Sequence, residues 1–323
     1  MHTRYLEIER RQRRLHVAAL GQMLVVTLLW SSSFPIHKIL LNQGMPPLTL
    51  AGYRYFAAAL VLAAALWLNS GNGWLRQKEN EVAGAESSLS LLAVLAAVGL
   101  FMYGAQGIHM IALSILTASD SGLVSMTWAP IAVVLFTLAL ERRLPRPVQL
   151  SGLALVLLGL YSYFPLRLQS VRLLGIGLNV ISSSTWALAV ILTHRTLSHT
   201  RVSSLRLTAV SMLAGSSLLL IAALAHDGAY IPTIWQAMWL AYLATVNTAF
   251  GFALYNHTMR VLGPFELIVF QDSMIIQIGI FSAVFLGEMI TPAMALGMFF
   301  VTIGIAVVQI FAPGARAAAR LDE

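Results

Sequence analysis

Residues 147–159 read PVQLSGLALVLLG, and residues 292–304 read PAMALGMFFVTIG. Pro147, Gly152 and Gly159 in the first stretch are matched by Pro292, Gly297 and Gly304 in the second, each 145 residues further on. In both, a proline opens an apolar run, where its missing N–H leaves no bond unmade. The two glycines, seven residues apart, share one helix face. Faces this small let helices approach closely, within one chain or across a homodimer. The same matching continues outward. Leu140-Glu141 precedes the first stretch as Gly287-Glu288 precedes the second, Arg54 is matched by Arg206, and Ser31-Ser32-Ser33 by Ser182-Ser183-Ser184, at offsets of 147, 152 and 151. Five matches in the same order make this an internally repeated chain.

The composition says where such a chain lives. Of 323 residues, 58% are hydrophobic and 10% charged, with a mean hydropathy of +0.79. A soluble domain carries about 25% charged residues, and a disordered chain needs low hydrophobicity with high net charge, so both classes are excluded. Apolar runs occupy about 17–41, 47–69, 88–113, 119–140 and 147–165, then 173–196, 202–225, 234–259, 264–287 and 292–312. Each is near the roughly 20 residues of a helical bilayer crossing. They lack the alternation of barrel strands, and Pro, Gly and Asn punctuate the breaks. The predicted fold is an all-α membrane protein of ten transmembrane helices. With no cysteine, disulfides, thiolate zinc and iron–sulfur sites are excluded.

The net charge of +7 encodes orientation. With a cytoplasmic N-terminus, fifteen of the 20 basic residues fall on the cytoplasmic side and only Arg167 and Arg172 on the other. That asymmetry is the positive-inside pattern; no nucleic-acid partner is implied. The basic tail 1–16 precedes an uncleaved first helix, since no small-x-small site interrupts it, and its arginines suit an anionic bilayer surface. Segments 17–165 and 173–312 form the two five-helix repeats, and 313–323 is a cytoplasmic tail. Five is odd, so the second repeat enters the membrane from the opposite side, giving inverted topology. Two halves that can exchange shapes open one vestibule and then the other, which favours alternating-access transport.

Leu29-Trp30-Ser31-Ser32-Ser33-Phe34, Pro47 followed by Tyr53-Arg54-Tyr55, Ala129-Pro130, and the Gly287-Glu288, Pro292, Gly297, Gly304 series with its first-half copy now carry a resemblance. The chain resembles the drug/metabolite transporter superfamily, in its EamA-type branch, over about 17–312. The resemblance implies a central cavity lined mainly by helices 1, 3, 4, 6, 8 and 9. It also implies a family dominated by exporters of amino acids and other small metabolites in the bacterial inner membrane. It supplies no substrate.

Polar and aromatic groups inside the spans are the candidate site. Trp30, Phe34 and His37 follow at i, i+4 and i+7 on helix 1, with Ser33 among them. Helix 3 contributes Tyr103 and Gln106 as well as His109, helix 4 Trp128, helix 6 Trp186, and helix 8 Asn247. Trp186 is expected to face the helix 1 stripe and complete an aromatic wall. Asp272 is the deepest acid; a charge there costs about 2.5–3.5 kcal/mol on insertion scales, so it reads as a substrate-amine or proton site facing the cavity, or as a structural partner. Arg54 and Arg206, placed symmetrically, read as structural or anion-binding. Glu141, Glu266 and Glu288 lie at helix ends, where structural roles prevail.

A secondary transporter, most readily an exporter, fits best, moving an amino acid or another amphipathic or cationic small molecule, with proton coupling through Asp272 in view. Neither a P-loop nor H-E-x-x-H nor G-x-S-x-G is present, so no cofactor or metal is expected. An intramembrane enzyme, or a sensor without transport, is the alternative.

Overall fold

The computed structural model describes residues 2–70, 89–140, 142, 146–164, 170–199, 204–258, 261–262 and 264–310. Among the described residues every regular element is helical. In chain order these are α1 (His2–Asn42), α2 (Pro47–Ser70), α3 (Leu89–Ile115), α4 (Ala118–Leu140), α5 (Pro147–Tyr163), α6 (Ser170–His199) and α7 (Ser204–Asp227). After them come α8, α9 (Pro264–Leu286) and α10 (Pro292–Ile310). Helix α8 runs in three parts: Ile234–Tyr242, a π-helical stretch Leu243–Phe250, and Gly251–Thr258.

Local chemistry explains many of these boundaries. Four helices begin on a proline, Pro47, Pro147, Pro264 and Pro292, whose fixed φ suits the first turn. Thr233 caps α8: its Oγ1 accepts from Gln236 N at 3.3 Å while Gln236 Oε1 accepts from Thr233 N at 3.0 Å, a reciprocal capping box. Helices α7 and α9 are followed by Gly228 and Gly287 at φ 77° and 67°, the left-handed turn that ends helices. The basic tail differs from the expectation, because α1 continues through it as one helix from His2.

Among the described residues, seven helices are long and apolar enough to cross a bilayer. Of the others, α5 has 17 residues and α8 is divided by its π-helical stretch. Large apolar side chains such as Leu157, Tyr161, Ile221, Val284 and Phe299 stand exposed around the bundle. In water a surface of this kind would be an aggregation hazard; against lipid it is the required exterior.

Helix α3 packs on α6 and α7, α2 on α7 and α8, α4 on α6, and α9 on α1. The α5–α10 contact is reciprocal. A Cβ on Gly152 would lie 2.8 Å from the Gly304 carbonyl oxygen, and one on Gly159 2.7 Å from that of Gly297. The glycine faces read from the sequence are thus used within the chain and are not free for a homodimer.

One end of the bundle is stitched by side chains that cap other helices. Both carboxylate oxygens of Glu288 accept from the start of α4, from Ala118 N at 2.7 Å and Ser119 N at 3.0 Å. Lys38 Nζ donates to the Leu113 and Ser114 carbonyls at the end of α3, at 2.9 and 3.1 Å. Asp227 Oδ2 accepts from Thr49 N and Oγ1 at 3.0 and 2.8 Å, and Arg172 pairs with Asp120 at 2.8 Å. A negative charge at a helix N-terminus is favoured by both the dipole and the orphan N–H groups. Glu288→Ala should therefore lower stability by about 1–2 kcal/mol, read as an earlier thermal midpoint in detergent, whereas an unshifted midpoint would remove the capping role.

Candidate functional site

Two clusters of buried polar side chains sit inside the bundle. The first is built around Arg54, 6% exposed. It reaches from α2 toward α1 and the π-helical stretch of α8. Its Nη2 donates to Asn247 Oδ1 at 2.7 Å, its Nε to Thr248 Oγ1 at 3.2 Å, and its Nη1 to His37 Nε2. The guanidinium also lies 4.9 Å from the centre of the Tyr55 ring, and Tyr55 donates to Gln106 Oε1 at 2.9 Å.

The π-helical turn makes this grip available. Thr248 Oγ1 donates to the Leu243 carbonyl five residues back at 2.8 Å, and the wider turn presents Asn247 and Thr248 together to one guanidinium. Turns of this type recur at functional sites. Asn247 is held from behind as well. Its Nδ2 donates to the Leu29 carbonyl, and its own carbonyl accepts from Trp30 Nε1 at 3.2 Å.

The second cluster centres on Asn179 of α6, 0% exposed. Its Oδ1 accepts from His109 Nδ1 at 3.1 Å and from Ser125 Oγ at 2.8 Å, while its Nδ2 donates to the Ser121 carbonyl at 2.9 Å. Phe34 joins the two clusters physically, with its ring 5.5 Å from that of His109 in an edge-on contact and its helix carrying His37 one turn further on.

The sequence candidates distribute themselves over this frame. Phe34, His37 and Tyr103 are buried, Tyr103 stacking edge-on to Tyr55 at 5.2 Å, and Gln106 and Asn247 sit in the Arg54 cluster. Ser33 donates to the Trp30 carbonyl at 2.6 Å within its own helix, and so turns back on its backbone. Trp128 Nε1 donates to Ser184 Oγ at 2.8 Å, joining α4 to α6.

One expectation is corrected, and Asp272 stands apart from the two clusters. Trp30 packs on Phe252 and Tyr255 at 5.3 and 5.2 Å, so its aromatic wall is built with α8. Trp186 does not complete it. That residue stands two turns beyond Asn179 on the same helix face and is 37% exposed. Asp272 does not face the two clusters either. It is 3% exposed, and its Oδ1 accepts from Gln309 Nε2 of α10 at 3.1 Å, while Oδ2 has no partner among the described residues. Helix periodicity places Asp272 on the α10 side of α9, and the apolar face it belongs to could not be assigned before the packing was known.

Several residues escaped the sequence reading: Asn179, Ser121, Ser125, Thr248 and Gln277. Gln277 Oε1 accepts from Ser31 Oγ at 3.0 Å, and its Nε2 donates to Thr27 Oγ1 at 3.2 Å, tying α9 to α1. Asn179 and Gln277 carried the same signal as Gln106, a neutral amide within an apolar run. Hydroxyls in such runs are too common to single out. Glu141 and the side chains of Arg206, Asn256 and Glu266 lie outside the described residues. No group of three or more potential metal-ligating residues is found among the described residues.

A many-helix apolar bundle with hydrogen-bonded polar clusters inside it defines a polytopic membrane protein. The EamA-like transporter family matches residues 18–164 and 173–310, most of the chain, and the chain belongs to that family. It is accordingly a membrane transporter of the drug/metabolite type. Seventeen solved chains match its fold. One, a crystal structure bearing no functional description, is 19% identical and superposes with a TM-score of 0.60 over 91% of this chain and 98% of its own, a likeness of fold alone. No curated protein matches the chain.

Proposed function

We propose that the protein is a secondary transporter that exports a small amphipathic metabolite, such as an amino acid, across the bacterial inner membrane by alternating access. Both termini are then cytoplasmic. The observation that carries this reading is the pair of buried clusters, each joining the first sequence repeat to the second: Arg54 to Asn247, and His109 to Asn179. Buried polar groups inside a membrane bundle are costly and mark substrate pathways. The reciprocal Gly152–Gly304 and Gly159–Gly297 contacts support inverted repeats, because exchanging the two halves turns one contact into the other. A cationic cargo fits less well than the sequence alone suggested, since the described centre holds an arginine and no carboxylate.

Counterflow in proteoliposomes with a metabolite panel tests transport. A solute that exchanges only in vesicles carrying the protein is the expected result, and the absence of exchange for every solute in an inward- and outward-loaded panel would sink it. Because the chain has no cysteine, single cysteines at Gly71 and Thr200 read the topology directly. Both should label from the cytoplasmic face, and opposite labelling would remove the inverted repeat. Proton coupling through Asp272 predicts that Asp272→Asn loses the pH dependence of flux. An unchanged pH profile would leave Asp272 a purely structural partner of Gln309.

A further inference from the structure

Arg54 is a permanent cation placed where, among the described residues, no anion answers it. Its three hydrogen-bond partners, Asn247, Thr248 and His37, are neutral acceptors. The sequence offers no other: α2, α3, α8 and residues 15–42 of α1 contain no Asp or Glu. The described acids are engaged elsewhere, Asp120 with Arg172, Asp227 with Thr49, Asp272 with Gln309, and Glu288 with the α4 amides. A buried charge without a counter-charge is expensive, and proteins keep one only where something pairs with it.

His37 adds a second, independent sign. It accepts from Arg54 at Nε2, so its proton is on Nδ1. That Nδ1–H is buried with no partner among the described residues, in a side chain 2% exposed. A guanidinium has five N–H groups and three are used here, so two N–H donors of Arg54 and one of His37 remain unspent. Unspent donors around an uncompensated positive charge select an anionic oxygen ligand, and arginine's planar fork matches a carboxylate in particular. The Tyr55 ring lies against the guanidinium, and Tyr103 and Phe34 belong to the same buried cluster, an apolar setting that suits the remainder of a small organic acid.

We infer that Arg54 and His37 form the carboxylate-binding subsite of the transported molecule, so that the cargo is a small organic carboxylate. The inference rests on the transporter reading above and narrows its substrate class. On arrival the carboxylate takes the free Arg54 and His37 donors, while Asn247 and Thr248 keep their hold on the guanidinium.

The test measures thermal stability in detergent and counterflow in proteoliposomes. The probes are matched solutes sharing one side chain and ending in a carboxylate, a carboxamide or hydrogen, together with sodium chloride at equal ionic strength. For at least one side chain, the carboxylate should stabilise the wild-type protein and exchange roughly tenfold or more faster than its amide, as expected when a charge-assisted bond is lost. Arg54→Gln should erase that preference, and Arg54→Lys, which keeps the charge without the fork, should weaken it. Equal stabilisation by carboxylates and amides throughout, or a preference that survives in Arg54→Gln, overturns the subsite. Equal stabilisation by chloride overturns the organic carboxylate. If Arg54→Gln does not fold, the wild-type comparison and Arg54→Lys decide alone. Stabilisation by a carboxylate without any exchange would keep the subsite and overturn the transport reading instead.

Discussion

Replacing Asn247 by leucine should cost the folded protein about 3 kcal/mol, the upper range for removing a hydrogen bond to a buried charge. The amide bonds Arg54 in front and the Leu29 carbonyl behind, so the substitution strips the guanidinium of its amide acceptor and cuts a tie between α8 and α1 at once. The control is Asn247→Asp. It returns a carboxylate to Arg54 in nearly the same volume, and a buried cation that gains its own anion should leave the fold close to wild-type stability. The same change should abolish transport, because the charge of Arg54 is then answered from within and no longer selects an anionic cargo. Thermal unfolding by size exclusion in detergent, paired with counterflow, reads both. Equal stability of the leucine and aspartate variants would show that Arg54 does not depend on this amide. An aspartate variant that transports at the wild-type rate would show that its charge plays no part in the cycle.

The second large effect is expected at Gly99. Here α3 and α7 touch backbone to backbone: a Cβ on Gly99 would collide with the Ser211 carbonyl oxygen and reach 3.0 Å from Gly215 N. Neither neighbour is the tip of a flexible side chain, so the helices themselves must separate. Gly99→Val should cost about 3 kcal/mol or more, the top of the overpacking range, and leave little monodisperse protein after extraction. Gly104, one and a half turns along α3, has nothing within 4 Å of the same construction. Gly104→Ala should accordingly be tolerated. Loss of both variants alike would point to helix propensity in place of contact, and survival of Gly99→Val would deny the close approach.

These two positions illustrate what could and could not be read from residues in order. The glycines at 152, 159, 297 and 304 announce themselves by spacing and repetition, and their close contact follows. Gly99 and Gly215 carry no such pattern, and only the α3–α7 crossing explains them. Among polar groups the contrast is similar. Trp30, Phe34 and His37 recur at helical spacing, which shows that they share a face. Their partners, Phe252 and Tyr255 for Trp30, His109 for Phe34 and Arg54 for His37, are drawn from three other helices. Arg54, which the sequence left as structural or anion-binding, gains its meaning from having no acid among its described partners.

Hydropathy, run length and proline punctuation are local quantities, and they were enough to establish a helical membrane bundle, most of its helix boundaries and its repeated build. Which faces meet is not local. In a span that is apolar all round, periodicity marks no buried side, so Trp186 and Asp272 could be placed along the membrane normal but not around it. The packing of α6 on α3 and α4, and of α9 on α10, settled those directions. Tertiary structure also introduced the π-helical turn that brings Asn247 and Thr248 onto one guanidinium, a geometry that depends on a neighbour nearly two hundred residues away in the chain.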